Sequence, residues 1–200
     1  MNNDDKILFI DLETTGVDHT KHMITQIAAE YHINGNKLDE FFINVKAVPD
    51  QITAISLEAL KITKQSLKQT LTEGTPEPEA IMNFVDWLLG LDTDRMYICG
   101  HNVHFDVGFI KAVLQKYRLE QWDSIASYRI EDTCSLSRTL RKCGVLPPGN
   151  SSLGNLASDL KIAPSKGEHL HNAATDVKVT AKIYYKLVKL LRNLAELNHG

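Results

Sequence analysis

Three short segments of the sequence place carboxylates at the end of an apolar run. The first is the segment 11–16, Asp-Leu-Glu-Thr-Thr-Gly, which directly follows the apolar residues 7–10. Side chains alternate along a strand, so Asp11 and Glu13 are predicted to point to the same face. Two carboxylates at the end of a buried strand are costly unless a cation compensates them. Asp-x-Glu alone is a weak indication, because many strands simply end in solvated acids.

The second segment, 100–106, follows a short apolar run at 96–99 and leads into a predicted helix. Counting forward from Asp106 in helical steps reaches the apolar residues Phe109 and Ile110, which share one helix face with it. Asp106 is therefore predicted on the buried side of the first turn. An acid that only complements the helix dipole could occupy any face of that turn. The buried position favours a functional site.

The third segment, 171–176, reads His-Asn-Ala-Ala-Thr-Asp and opens the last predicted helix. Asn172 is a favourable N-cap, which leaves His171 in the loop just before the helix. The same helical count from Asp176 reaches Val179 and Ile183, so this acid is also predicted to face the core. A loop histidine beside such an acid suits a general base, because the unperturbed pKa of histidine, about 6.5, allows proton abstraction at neutral pH.

Taken together, the three segments predict a cation site. Asp11, Glu13, Asp106 and Asp176 would converge on one rim of a sheet, where uncompensated anions would repel one another strongly. A bound cation is the economical explanation. Ligands that offer oxygen alone favour Mg²⁺ or Mn²⁺ over zinc.

The elements that must position these residues follow an α/β pattern. Residues 23–33 and 37–45 are predicted to form a hairpin through the turn at Asn34-Gly35. Further strands are predicted at 96–99 and 128–132, and helices from Pro76, at 105–117, 134–142, 152–160 and 172–194. Alternation of strands and helices after a leading hairpin favours a mixed sheet with helices packed on it.

Composition limits the class of protein. Two hundred residues with 43% hydrophobic content fit one domain with a sizeable core. No apolar run of 18 residues and no signal peptide is present, so no membrane association is expected. The three widely spaced cysteines form no CxxC pair, which favours a reducing cytoplasm. A net charge of −3 argues against wrapping duplex DNA by bulk charge, but not against handling a few nucleotides at a time.

The three segments resemble the DEDDh exonucleases, the family of the DnaQ-type proofreading subunit and RNase T. The matching residues are Asp11-x-Glu13-Thr14-Thr15-Gly16, Gly100-His101-Asn102-x-x-Phe105-Asp106 and His171-x-Ala173-x-x-Asp176. The similarity extends over residues 6–191, and three motifs in the right order are a specific signal. His171 points to the h subtype, whereas the spacing of His169 to Asp176 fits the family less well.

The resemblance implies a ribonuclease H-like α/β fold, with a five-stranded mixed sheet flanked by helices. A single exonuclease domain is expected over residues 1–200, with its core at 6–191. The resemblance also implies two Mg²⁺ or Mn²⁺ ions, bridged by Asp11 and further coordinated by Glu13, Asp106 and Asp176. His171 would deprotonate the water that attacks the terminal phosphodiester, releasing nucleoside 5′-monophosphates one at a time from the 3′ end.

The resemblance further implies where the substrate binds. Leu12 and Thr14 lie where the family grips the terminal nucleotide, and Phe105 is placed either to stack on a base or to fill the core. Single-stranded or frayed 3′ ends of DNA are the expected substrate, in proofreading or repair with a DNA polymerase or repair protein as partner. The oligomeric state is left open by the sequence.

Three alternatives remain open at this point. An RNA-trimming enzyme of the same fold is the nearest, since discrimination depends on contacts to the 2′-OH. A catalytically silent nucleic-acid-binding module would keep the fold without the reaction. A nuclease that cuts internally would use the same metal chemistry. Neither the G-x-S-x-G pattern of serine hydrolases nor a P-loop is present.

Overall fold

The computed structural model describes residues 5–91, 93 and 95–199. Its first strand, β1 (Lys6–Thr14), contains the predicted apolar run and continues through both acids of the first segment. Residues 7 to 10 are 0–1% exposed. A strand buried on both faces reads as a continuous apolar run, which explains why the sequence shows no alternation there.

A mixed sheet forms the centre of the molecule. The other strands are β2 (Ile24–Ile33), β3 (Asn36–Lys46), β4 (Thr75–Pro76), β5 (Met96–Gly100) and β6 (Ala126–Asp132). Their order is β4-β3-β2-β1-β5-β6, and β1 pairs antiparallel with β2 and parallel with β5. The mixed sheet is therefore confirmed. The sheet has six strands, so the expected number of five was wrong. The additional strand is the two-residue β4 at the edge, which is too short to leave a periodic pattern in the sequence.

The predicted hairpin is confirmed as the pair β2–β3. Asn34 and Gly35 form its turn with φ angles of 52° and 84°. A two-residue turn of type I′ requires positive φ at both central positions, which Asn-Gly tolerates well.

Eight α-helices lie in the described part of the chain, and the predicted ones are found within one to five residues of their expected ends. They are α1 (Ala54–Ile62), α2 (Leu67–Thr72), α3 (Glu77–Gly90), α4 (His104–Lys116), α5 (Trp122–Ile125), α6 (Thr133–Lys142), α7 (Leu153–Asp159) and α8 (Ala173–His199). None of them combines the length and the apolar character that a membrane span requires. The short α5 was not predicted.

The helices cover the two faces of the sheet. Even-numbered residues of β1, such as Leu8 and Ile10, belong to a large core with side chains from α3 and α4. The odd-numbered Ile7 and Phe9 belong to a second core with Ala173 and other residues of α8. Alternation along β1 therefore directs one set of side chains to α4 and the other to α8.

Helix α8 is buried on two sides. Ala173 and Val177 pack on the sheet. Val179, Ile183 and Leu187, the apolar stripe counted from Asp176, pack against residues of α6 and α7. The start of α8 is thereby fixed from two directions, which determines where Asp176 lies.

Candidate metal centre

Three of the four predicted carboxylates meet at one rim of the sheet. Asp11, Glu13 and Asp176 each offer a carboxylate oxygen, and these oxygens lie within 4.8 Å of one another. Glu13 and Asp176 are 8% and 7% exposed, and Asp11 is partly buried. Such a group of buried anions is the arrangement that the sequence predicts for a cation site.

Strand pairing explains how two of these acids come together. Asp11 lies opposite Ala28 of β2 and Glu13 lies opposite Gln26, with the register shifting just after Glu13. Both are odd-numbered, so they point to the face of the sheet that α8 covers. Asp176, in the first turn of α8, approaches from that same face.

One carboxylate oxygen of Asp176 accepts a hydrogen bond, and the other has no donor in the described part of the chain. The backbone N–H of His171 donates to Oδ2 at 3.1 Å. Oδ1 is buried, and no residue of the described chain donates a hydrogen bond to it. A buried carboxylate oxygen without a donor is costly, and coordination to a cation would satisfy it. The donor set and this free oxygen both fit a divalent metal ion.

Asp106 reaches the rim from the opposite side of the sheet. It is 4% exposed, and its Oδ1 accepts the backbone N–H of Leu12 at 2.9 Å. It lies outside the group of three oxygens that meet within 4.8 Å. Its charge nevertheless acts on Asp11, whose pKa it helps to raise. Asp106 is thus anchored to the strand between the two acids of the first segment.

The electrostatics of the site favour a cation. Burial first, and then the carboxylates of Asp106, Asp176 and Glu13, raise the pKa of Asp11 well above its usual value. Burial and the charge of Asp176 raise the pKa of Glu13 to about 8. Burial also raises the pKa of Asp176 to about 6, against the lowering effect of the His171 N–H. A divalent cation reverses these effects, because it replaces repulsion by attraction.

His171 lies beside this group with an exposed side chain. Its φ angle of 67° is in the left-handed region, and this turn directs its N–H to Asp176. The His171 side chain is solvent-exposed. His169, also exposed, lines a polar pocket of about 250 Å³ between β2 and the α1–α2 segment.

The residues expected at the substrate lie around the same rim. Leu12 is 6% exposed and its side chain belongs to the large core, while its backbone N–H donates to Asp106. The Thr14 hydroxyl donates to the carbonyl of Gly16 at 2.7 Å, which closes the turn after β1. Phe105 is partly buried and its ring lies 4.9 Å from that of Phe109. Phe105 therefore combines a packed edge with a part open to solvent.

Gln26 is a site neighbour that sequence reasoning missed. Its Oε1 accepts the backbone N–H of Ala173 at 3.1 Å, and its Nε2 donates to Asn44. Gln26 thus ties the start of α8 to the strand that pairs with Glu13. The sequence gives only a weak indication of this role, because Gln26 is simply a polar residue within β2, a strand whose residues are nearly all buried.

The fold and the rim of carboxylates define an α/β protein of the ribonuclease H-like class that carries a metal-binding group of acids. The chain belongs to the exonuclease family, whose RNase T-type model matches residues 8–184. The resemblance to DnaQ-like exonucleases is thereby confirmed.

Individual relatives agree with this family. The 3′-5′ exonuclease DinG of Bacillus subtilis is 30% identical over 201 residues, which cover 96% of this chain and 18% of DinG. A PolC-type DNA polymerase III of Thermotoga maritima is 26% identical, covering 96% of this chain and 12% of the polymerase. This chain therefore spans less than a fifth of the length of these relatives.

Solved structures agree on the fold. E. coli exonuclease I in complex with a dT13 oligonucleotide superposes with a TM-score of 0.76 at 21% identity, covering 96% of this chain and 43% of that one. Another exonuclease I structure gives a TM-score of 0.74 at 22% identity and covers 92% of this chain and 41% of that one.

Proposed function

We propose that this chain is a metal-dependent 3′→5′ exonuclease that removes nucleoside 5′-monophosphates from the 3′ end of DNA. The observation that carries the proposal is the meeting of Asp11, Glu13 and Asp176 within 4.8 Å, with a buried oxygen of Asp176 left without a donor. Membership of the exonuclease family supplies the reaction class. Residues 6–191 would form the core of a single catalytic domain.

Asp11, Glu13, Asp106 and Asp176 would hold two Mg²⁺ or Mn²⁺ ions, with Asp11 shared between them. The chemistry supplied by two bound cations is stabilisation of the attacking and leaving oxygens of the phosphodiester. The protein's own contribution is to hold the acids in place. The Leu12 N–H fixes Asp106 and the His171 N–H fixes Asp176.

His171 would act as the general base. It would take the proton from the attacking water at an imidazole nitrogen, and its exposed position supports this role because the side chain can meet the incoming substrate. The backbone around Leu12 and Thr14 would hold the terminal nucleotide. Phe105 would present the open part of its ring to a base, where stacking contributes about 1–3 kcal/mol.

DNA is proposed over RNA because of the relatives. DinG is named a 3′-5′ exonuclease, PolC is a DNA polymerase, and E. coli exonuclease I was solved with a dT13 oligonucleotide. The PolC likeness also supports a polymerase or a repair protein as partner. A cytoplasmic location remains a prediction, with which the three free cysteines are consistent.

Shortening of 5′-labelled single-stranded DNA tests the proposal. The protein would be incubated with Mg²⁺, Mn²⁺, Zn²⁺ or EDTA, and Zn²⁺ is included because a zinc-bound exonuclease I–DNA structure is known. A ladder that shortens from the 3′ end with Mg²⁺ or Mn²⁺, absent in EDTA and in Asp11→Asn, is expected. A matched RNA strand, if shortened faster, would move the substrate to RNA.

Two further substrates separate the remaining alternatives. Cleavage of circular single-stranded DNA would show internal cutting and contradict an exonuclease. Metal and DNA binding without shortening of either strand would favour a silent binding module. Asp11→Asn must retain its far-UV circular dichroism spectrum for the comparison to hold.

A further inference from the structure

A basic groove lies beside the second acidic segment and outside the group of carboxylates. It has a volume of about 660 Å³. One wall is a face of α6, because Cys134, Arg138, Arg141 and Lys142 recur at helical spacing. The other residues that line it are His101, Asn102, Gly149, Asn150, Ser151 and Ser152.

The groove is electropositive in a chain whose net charge is −3. Three of its lining side chains are cationic and no carboxylate is among them. Arg138 and Lys142 are exposed, and within the part of the chain that the structure describes neither forms an ion pair. Their charges are therefore available to a ligand.

The other charged groups around the groove already have hydrogen-bond or ion-pair partners within the protein. Arg141 is fixed by the carboxylate of Asp159 and by the carbonyl of Pro147, so it forms a rigid wall. Asp132, just outside the groove, accepts the N–H groups of Asn102 and Cys134. These donors offset its negative charge.

One end of the groove begins next to β5, which pairs with the strand that carries Asp11 and Glu13. Gly100 precedes the lining residues His101 and Asn102, and a Cβ built on it would lie 3.0 Å from the carbonyl oxygen of Ile10. That carbonyl directly precedes Asp11. From this end the groove follows α6, where the span from Cys134 to Lys142 is about 12 Å long.

We propose that this groove binds the phosphates of the substrate strand upstream of its terminal nucleotide, through Arg138 and Lys142. The inference rests on the proposed function and adds the path of the strand to it. A polyanion is the ligand that fits, because exposed cations and neutral donors line the groove. Phosphate contacts position a strand without reading its sequence.

The test compares two double variants with the same change in net charge. Arg138→Gln/Lys142→Gln removes both available cations of the groove. Lys182→Gln/Lys189→Gln removes two exposed lysines of α8, which lie outside the groove. Both pairs are exposed, so thermal unfolding should stay close to that of the unchanged protein.

For the groove variant, KM for a 12-nucleotide single-stranded DNA should rise about tenfold at low salt. The slope of log(kcat/KM) against log[NaCl] should become shallower by about 1.4, because each lost phosphate contact in a single strand contributes about 0.7. Hydrolysis of thymidine 5′-p-nitrophenyl phosphate, which has no upstream strand, should change less than twofold. The α8 variant should match the unchanged protein in all three measurements.

An unchanged KM and salt slope in the groove variant would overturn the proposal. An equal effect of the α8 variant would overturn it too, since net charge rather than the groove would then be responsible. If the unchanged protein hydrolyses neither the ester nor the oligonucleotide, the proposed function fails instead. Fluorescence anisotropy of the labelled oligonucleotide in EDTA then still decides whether Arg138 and Lys142 bind the strand.

Discussion

At the scale of single residues, two exposed histidines precede α8, and their relations to Asp176 differ. The backbone of His171 holds the carboxylate of Asp176, whereas His169 lies against a separate polar pocket. The backbone contact survives a change of side chain. Substitution of His171 therefore removes the imidazole while leaving Asp176 in place.

We expect His171→Ala to lower kcat by about 10²–10⁴-fold, the usual contribution of a general base. The Mn²⁺ affinity, measured by isothermal titration calorimetry, should stay within about threefold, because His171 is proposed as the base and not as a ligand. His169→Ala is the matched control and should keep nearly full activity. Loss of Mn²⁺ binding in His171→Ala, or an equal loss of activity in His169→Ala, would show that the assigned role is wrong.

Asp11 contributes to two opposing properties. As a proposed ligand it supports metal binding, but as one anion among several it destabilises the metal-free protein. Asp11→Asn should therefore lower kcat/KM by at least about a hundredfold. In EDTA at pH 8 it should also raise the Tm, by about 2–4 °C for each kcal/mol of relieved repulsion.

Calorimetry of Asp11→Asn beside Glu79→Gln, an exposed acid at the start of α3, checks this expectation. Glu79→Gln should leave the activity unchanged and should not raise the Tm, because an acid in the first turn of a helix favours the helix dipole. A lower Tm for Asp11→Asn in EDTA would mean that Asp11 stabilises the metal-free fold, contrary to the electrostatics of the site.

At the scale of secondary-structure elements, the junction between β2 and α8 decides how the site is held. Gln26 accepts the N–H of Ala173 across this junction. We expect Gln26→Leu to destabilise the protein by about 1–3 kcal/mol, because a buried donor loses its partner. Since α8 carries Asp176, kcat should fall more than KM rises.

Gln51→Leu, on an exposed turn of 3₁₀-helix, is the control and should leave both parameters unchanged. Chemical denaturation and steady-state kinetics of the two variants give the comparison. A Gln26→Leu variant that loses stability but keeps kcat would make Gln26 a structural residue without a positioning role.

The elements, and the positions of the acids, that depend on a local sequence pattern could be predicted from the sequence. Alternation places Asp11 and Glu13 on one face, and helical counting places Asp106 and Asp176 on buried faces, as the structure shows. The hairpin followed from Asn34-Gly35 with the correct turn. Each of these features depends on neighbours within a few residues, so a single sequence contains the information.

Features that depend on distant pairs were not predictable. The contact of Asp106 with the Leu12 N–H joins residues 94 positions apart, and that of Gln26 with Ala173 joins residues 147 apart. The short elements β4 and α5 owe their form to packing rather than to a pattern of their own. The basic groove likewise forms only when α6 meets the segment 149–152.

At the scale of the whole molecule, the buried carboxylates of the site should make the free energy of unfolding depend on pH and on divalent metal. Burial and Asp176 raise the pKa of Glu13 from 4.5 to about 8, so the folded protein binds more protons than the unfolded chain between these values. The free energy of unfolding in EDTA should therefore fall as the pH rises from 5 to 8, by at most about 1.4 kcal/mol per pH unit for each such group.

Divalent metal should oppose this loss. Mn²⁺ should bind the ionised acids, so the gain in the free energy of unfolding on adding Mn²⁺ should be larger at pH 8 than at pH 5.5. Urea unfolding at both values, with EDTA or Mn²⁺, measures the difference. A free energy of unfolding in EDTA that rises toward pH 8 would contradict the raised pKa of Glu13.

The approach of Asp106 and Asp176 from opposite faces of the sheet has a consequence for the chain during its synthesis. β1 leaves the ribosome first, α4 follows, and α8, with Asp176 and the preceding His171, comes last of these elements. A nascent chain that lacks α8 has neither Asp176, a proposed metal ligand, nor His171, the proposed base. We therefore expect the chain to become active only when its last helix docks on the sheet.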